Sequence, residues 1–369
     1  MNDMASFLRS RRARWAVPAV AAVALIGIGP LVQAVTASAH GSLPPRTAAQ
    51  LLVDVSHAKV QALSGTVVET TDLGLPALPT IGGHGGDAAS FSSLVSGSHT
   101  MRLWYGGPHQ QRLALLGQLG ESDLVRNGTD LWAWSSHSNT ATHWTVPADH
   151  GSSEVPASPA GAATTPQQAA QAALKAIDPS TQVSTDPTAT VAGRPAYVLS
   201  LVPRDPRSLV GSVRIAIDGD THIPTRVQIF ARGATSPAFQ VGFTSFSTAT
   251  PDSSVFGFTP PPGATVKQGT LPTNPGHRAL AAPTSGDAPT VVGKGWTSVV
   301  VATLPADQKS SGQPSQQQAL VDRLPTVSGT WGSGHLLRSA LFSAVLTDDG
   351  RVAVGAVAPQ RLYDALARQ

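Results

Sequence analysis

Few residues of this 369-residue chain could do chemistry, and their surroundings argue against it. Gly332-Ser333-Gly334-His335 holds the residue types of a serine nucleophile and a base. A nucleophile elbow, however, needs a strand, a sharp turn and then a helix, with the base supplied from elsewhere. Here a glycine-rich turn runs into an apolar strand, so the four residues read as a turn. Of the 11 histidines, His137 and His143 flank one expected strand, but no carboxylate or third ligand stands at metal spacing. The absence of Cys removes disulfides, zinc–thiolate sites and thiolate nucleophiles. Gly82 to Gly86 lacks the Lys-Ser and the strand-to-helix setting of a phosphate loop. Asn127-Gly128-Thr129 fits a glycosylation sequon, but Asn-Gly is also the strongest signal for a two-residue hairpin turn. No motif calls for a cofactor, and the chain is expected not to be an enzyme. What stands out is apolar: Trp132 and Trp134, two apart on a strand, must share a face. Two indoles side by side need a broad apolar partner, either a packed core or a ligand.

The stretch Glu121 to Pro147 positions those rings. Leu124-Val125 lead into Asn127-Gly128, Leu131 to Trp134 lead out, and Thr140 to Val146 return after a polar turn at Ser135 to Asn139. Upstream, Thr100 to Tyr105 and Gln111 to Leu116 extend the same meander around Gly106-Gly107-Pro108. Before it lie a helix from Thr47 to Leu63 and a strand from Thr66 to Thr71. Thr47 and Gln50 form a capping box for that helix, and Leu51, Val55, Ala58 and Ala62 form its apolar stripe. Asp72 to Ser98 is a loose, lid-like segment with one short helix around Ala88 to Val95. Ala148 to Thr164 reads as a linker, and a helix capped by Thr165 runs from Pro166 to Ile177. A second strand group follows at Thr188–Val191, Ala196–Val202, Gly211–Asp218, Pro224–Ala231 and Phe239–Ser247.

These elements divide the chain into a domain over 45–267, a linker over 268–289 and a small α+β domain over 290–369. The last holds strands at Trp296–Thr303, Leu336–Leu346 and Arg351–Val357, and helices at Gln316–Leu324 and Pro359–Leu366. Charged residues are only 13%, with 35 Gly and 30 Pro, as suits a turn-rich β protein. The net charge of +3 is partly made by Arg9, Arg11, Arg12 and Arg14, so it offers nothing to nucleic acid. Those arginines precede an apolar run from Trp15 to Val35, and Ala37-Ser38-Ala39 supplies small residues for cleavage. Residues 1–39 are therefore a secretory signal peptide or a retained membrane anchor, and the remainder is expected outside the cytoplasm, secreted or held at the membrane's outer face.

Several strands are apolar on both faces, as in Leu113–Leu116, Tyr197–Val202 and Val213–Ile217. A single antiparallel sheet with one wet face should alternate cleanly. Two apolar faces imply a strongly curved sheet whose concave side is either a closed core or a lipid-sized cavity under helices. The candidate lining is Trp104, Trp132, Trp134, Val213, Ile215, Val227, Ile229, Phe239, Val241 and Phe243. Parity pairs residues within each strand and leaves open which face is inner.

The first helix, the strand LSGTVVET, the loose segment, the meander and RNGTDLWAWSSHSNTAT are similar in order and spacing to bacterial lipoprotein carriers of the LolA/LolB type. That family carries an Asp-Gly turn, a Leu-Trp strand start and an aromatic two residues on. Here Asn127-Gly128 stands as the turn and Trp134 as the second aromatic. GRPAYVLSLVPRD, VRIAIDGDTHIPTRVQIF and FGFTPPPGATV resemble its second half. The resemblance implies an unclosed β-barrel with a helical lid over an apolar cavity that holds lipid or lipoprotein acyl chains. The family's Arg-Pro pair, whose Arg latches the lid, is replaced by Gly107-Pro108, so the latch is not carried over. The composition resembles that of high-GC actinobacterial proteins. The two-domain plan also resembles regulators of the RseB/MucB type, which bind a membrane anti-sigma factor. LFSAVLTDDGRVAVGAVAPQRLYDAL shares the strand, turn, strand, helix rhythm of their C-terminal domain. Three readings thus stand: an acyl-chain binding protein, an envelope-stress regulator with a membrane protein partner, and a structural protein with a filled core.

Overall fold

A computed structural model describes residues 43–75, 97–117, 120–146, 165–166, 170, 179–269, 289–303, 321 and 323–368. The leader over 1–39, the lid-like segment beyond residue 75, the linkers and most of the helices expected at 166–177 and 316–324 lie outside the described residues.

Twelve strands form one sheet. They are β1 Leu63–Thr71, β2 Gly97–Tyr105, β3 Gln110–Leu116, β4 Glu121–Asn127, β5 Asp130–Ser135, β6 Thr140–Thr145, β7 Thr181–Val191, β8 Arg194–Pro203, β9 Val210–Asp218, β10 Pro224–Ala231, β11 Pro237–Ser247 and β12 Thr265–Gln268. Their order is β12-β6-β5-β4-β3-β2-β1-β11-β10-β9-β8-β7. Two meanders, each paired in sequence order, are therefore joined by one long antiparallel seam between β1 and β11. The short β12 adds to β6 in parallel, and β7 and β12 are the ends of the sheet among the described residues. The sheet is a curved, unclosed barrel: β7 reaches back to touch β11, with three strands between them in the bonding order.

Local chemistry explains the turns. Asn127 pairs with Asp130, so the two central residues of the β4–β5 hairpin are Gly128 and Thr129, one later than expected from the sequence. Among the two, only Gly128 takes positive φ (64°), the conformation for which glycine carries no steric cost. Asn127 instead continues the ladder. The first helix, α1, spans Ala48–His57, with the capping box in place: Gln50 N–H donates to Thr47 Oγ1 (3.2 Å) and Thr47 N–H to Gln50 Oε1 (2.9 Å). It is shorter than expected, because Ala58 leaves the helical region and the chain then enters β1 at Leu63. Leu51 is its one fully buried residue.

A second sheet has six strands: β13 Thr290–Val292, β14 Val299–Thr303, β15 Thr326–Gly329, β16 Gly332–Arg338, β17 Ser343–Thr347 and β18 Arg351–Gly355, ordered β13-β14-β18-β17-β16-β15. The run Leu336–Leu346, expected as one strand, is broken into β16 and β17 by the turn Ser339–Phe342. There Ser339 Oγ accepts from the backbone of Leu341 (3.2 Å) and Phe342 (3.0 Å). The closing helix α2, Pro359–Leu366, starts on a proline, which suits a first turn that needs no N–H donor. It buries Leu362, Ala365 and Leu366 against Val299, Val301, Val345 and Ala353. The sheets meet through Leu209 N–H to Ala356 O (2.8 Å) and Ala340 N–H to Leu73 O (2.8 Å). Trp296 Nε1 also donates to Thr181 Oγ1 (2.8 Å), and Leu341 joins the core of the larger sheet.

Candidate functional site: two unlike faces of one sheet

The register sorts the ten candidate residues. One row across the sheet runs Leu199, Ile215, Val227, Val241, Glu69, His99. A second runs Leu201, Val213, Ile229, Phe239, Thr71, and a third joins Phe243, Val67 and Met101. Val67, Glu69 and Thr71 alternate along β1, so all three rows lie on one face. Seven candidates, Val213, Ile215, Val227, Ile229, Phe239, Val241 and Phe243, are brought together there. Ile215, Val227 and Val241 are fully buried, while Ile229 and Phe239 are half-buried. Leu103, Leu113, Leu124 and Ala133 continue the same face toward β5. This face is the inner one: its side chains form a single hydrophobic cluster that α1 meets through Leu51.

Trp104, Trp132 and Trp134 do not share it. Trp104, Arg112, Val125, Trp132 and His143 form one row of the opposite face; Arg102, Ala114, Asp123 and Trp134 form the next. Parity had placed Trp132 beside Trp134 correctly, but only the strand-to-strand register says which rows of other strands they join. Trp132 and Trp134 are covered by a strap that follows the 3-10 turn Ser253–Phe256. Phe256 is buried, and Phe258 sits 5.4 Å from Trp132 and 6.4 Å from Trp134, ring centre to ring centre. His143 stacks on Trp132 at 4.4 Å and pairs with Asp130 at 2.8 Å. Arg112 Nη2 grips Asp123 (2.7 Å), and its Nη1 donates to Val255 O of the strap (3.3 Å). Asp123 is 3% exposed, and its carboxyl is pushed up to about 6. Burial is the main cause and Glu121 adds to it, while Arg112 pulls the other way.

The inner face is not wholly apolar. Glu69 and His99, both buried, stand 3.6 Å apart in its first row, and Thr71 Oγ1 donates to Glu69 (2.5 Å). Gln111 and Arg126 are buried further along. Burial raises the Tyr105 phenol, which also faces inward. Such groups are tolerated inside only with partners, and their one trace along the chain is a Glu in an otherwise β-branched strand.

Gly332 to His335 lie in the β15–β16 hairpin and its strand, with Ser333 bonded to Asp348 and His335 Nδ1 3.4 Å from Leu324 O. Among the described residues no three His, Asp or Glu side chains are grouped to hold a metal, and no helix is long and apolar enough to cross a membrane.

No family model matches the chain, and no curated protein matches its sequence. Among solved structures, the MucA/MucB complex of Pseudomonas aeruginosa is similar, with 16% identity and a TM-score of 0.43 over 86% of this chain and 96% of that one. A crystal structure of MucB in complex with MucA(peri) gives 18% identity and 0.43 over 86% and 97%. A LolA-superfamily protein from Nitrosomonas europaea gives 9% identity and 0.22 over 58% and 99%.

Proposed function

We propose that the chain is a non-enzymatic extracytoplasmic binding protein that holds lipid or lipoprotein acyl chains against the inner face of its twelve-stranded sheet. One observation carries the reading. The apolar positions of β8 through β11 and of β1 to β5 form one cluster on one side of an open, curved sheet, and a lining dominated by aliphatic and aromatic side chains is what an acyl chain requires. Ile229 and Phe239, cross-strand partners left half-buried, are the members of that lining best placed to meet a chain. Native mass spectrometry of the purified full chain tests this. Co-purified or loaded phospholipid should be present in the wild type and in Trp134→Asp, and lost in Phe239→Asp. Absence of lipid under every loading condition, or its loss in Trp134→Asp alone, overturns the proposal.

A second reading, a regulator that binds a membrane anti-sigma-type protein, is favoured by the smaller sheet. Val291, Val300 and Val354 lie in one register row, 60%, 37% and 37% exposed, on the face opposite α2. Capture of such a membrane protein by the wild type and its loss in Val300→Glu/Val354→Glu, with lipid binding intact, would select this reading.

A further inference from the structure

The outer face carries a groove that the acyl-chain reading does not use. It opens where β1 and β11 slip register between Thr66 and Val67. Ser64, Thr66, Arg102, Trp104, Ser245 and Ser247 line it, around a volume of about 220 Å³. We propose that this groove binds a phosphate group.

The chemistry of its walls points there. Ser245 Oγ accepts the Thr66 N–H (3.0 Å), and Ser247 Oγ accepts the Ala249 N–H (3.2 Å). A hydroxyl whose oxygen is engaged by a backbone donor keeps its proton for something else. Arg102 is exposed, and among the described residues no carboxylate lies within ion-pair reach of it. Its guanidinium lies over the Trp104 ring, 4.9 Å from the centre, which sets its plane and leaves its N–H groups for a ligand. Arg112, near the same ring at 5.5 Å, is committed to Asp123, Glu121 and the strap. Among the described residues no Asp or Glu lines the groove. Its described residues offer hydroxyl donors and the Arg102 guanidinium with no carboxylate, a set that repels cations and suits an oxyanion, which only accepts. The volume is below the usual range for a drug-sized ligand and fits a phosphate ester with a small substituent. The groove faces away from the apolar rows, so this inference stands whether or not they hold lipid.

Two sources could supply the phosphate: a soluble phosphate ester, or the headgroup of an anionic phospholipid. Isothermal titration of the full chain with inorganic phosphate and glycerol 3-phosphate, beside flotation with phosphatidylglycerol and phosphatidylcholine vesicles, separates them. Arg102→Gln is at an exposed position and should fold. It should weaken the binding about tenfold or more, the cost of a lost charge-assisted hydrogen bond, and Ser245→Ala should weaken it less. Saturable binding of the soluble esters identifies the first source. Flotation with phosphatidylglycerol alone, lost in Arg102→Gln, identifies the second. Absence of both, or binding that Arg102→Gln leaves unchanged, overturns the assignment.

Discussion

Raising the pH from about 4.5 to about 7.5 should weaken the folded state through Asp123, and Asp123→Asn should remove that weakening. The side chain is 3% exposed on the outer face, and burial pushes its carboxyl from 3.8 to about 6 despite the Arg112 contact at 2.7 Å. An acid whose folded value lies above its unfolded one binds more protons when folded. Its contribution is therefore complete below the unfolded value and is lost as pH climbs through the folded one. Moving a carboxyl from 3.8 to about 6 is equivalent to about 3 kcal/mol in full. About 2 kcal/mol of this falls between pH 4.5 and 7.5, since the unfolded carboxyl is already mostly ionised at the lower limit. Asparagine is nearly isosteric with the neutral acid and keeps an oxygen for Arg112, which retains Glu121 at 3.7 Å. Asp123→Asn should accordingly be about 1 kcal/mol more stable than wild type at pH 4.5 and about 3 kcal/mol at pH 7.5. Asp349, held down to about 2 chiefly by its hydrogen bond from Arg351, has the opposite sign and titrates below this window. Urea unfolding of both proteins at the two pH values supplies the four stabilities. If the gap between variant and wild type is the same at both, Asp123 does not carry the raised value and the burial argument is wrong.

Two other outcomes test the packing. Phe256→Ala should cost about 3–5 kcal/mol, the usual loss for a buried aromatic, and should free the strap so that tryptophan emission shifts to the red. Gly65→Ala should cost on the order of 1–3 kcal/mol in thermal unfolding, because the new Cβ would meet Ser245 O at 2.3 Å and the Phe243 ring at 2.8 Å; an unchanged melting curve would show the seam to be loose.

What could be read from residue types alone was what depends on one strand or one turn. Alternating or continuous apolar runs between turns marked most strands of the large sheet, though only the end of β7, and the Thr47–Gln50 box marked the start of α1. The failures that matter for the site are of register or of tertiary origin. Asn127-Gly128 named the right hairpin but set it one residue early, since glycine alone bears the positive φ and Asn127 pairs with Asp130. Leu336 to Leu346 looked continuous because the turn Ser339-Ala340-Leu341-Phe342 has no glycine or proline. Its apolar residues are there because the larger sheet's core receives them. The tryptophans were grouped with Val227 and Val241 because nothing along one strand fixes its offset from the next. The pairing of Glu69 with His99 and of Arg112 with Asp123 joins strands whose alignment only the folded sheet defines.

That offset is set at the seam. Val67 faces Phe243, yet the next residue of β1 toward its start, Thr66, faces Ser245, so β11 holds one residue more than β1. A side-chain period of two would otherwise carry Ser245 and Ser247 inward behind Val241 and Phe243. The extra residue reverses the parity: Phe243 stays in the apolar cluster while Ser245 and Ser247 turn out to the groove beside Arg102. Without the bulge, two hydroxyls would enter the hydrophobic cluster without evident partners, each at a cost of about 1–3 kcal/mol. The groove would then lose the donors that suit it to an oxyanion. The sheet can thus be greasy on one side and donor-rich on the other because a single irregularity at Thr66/Val67 lets one strand serve both.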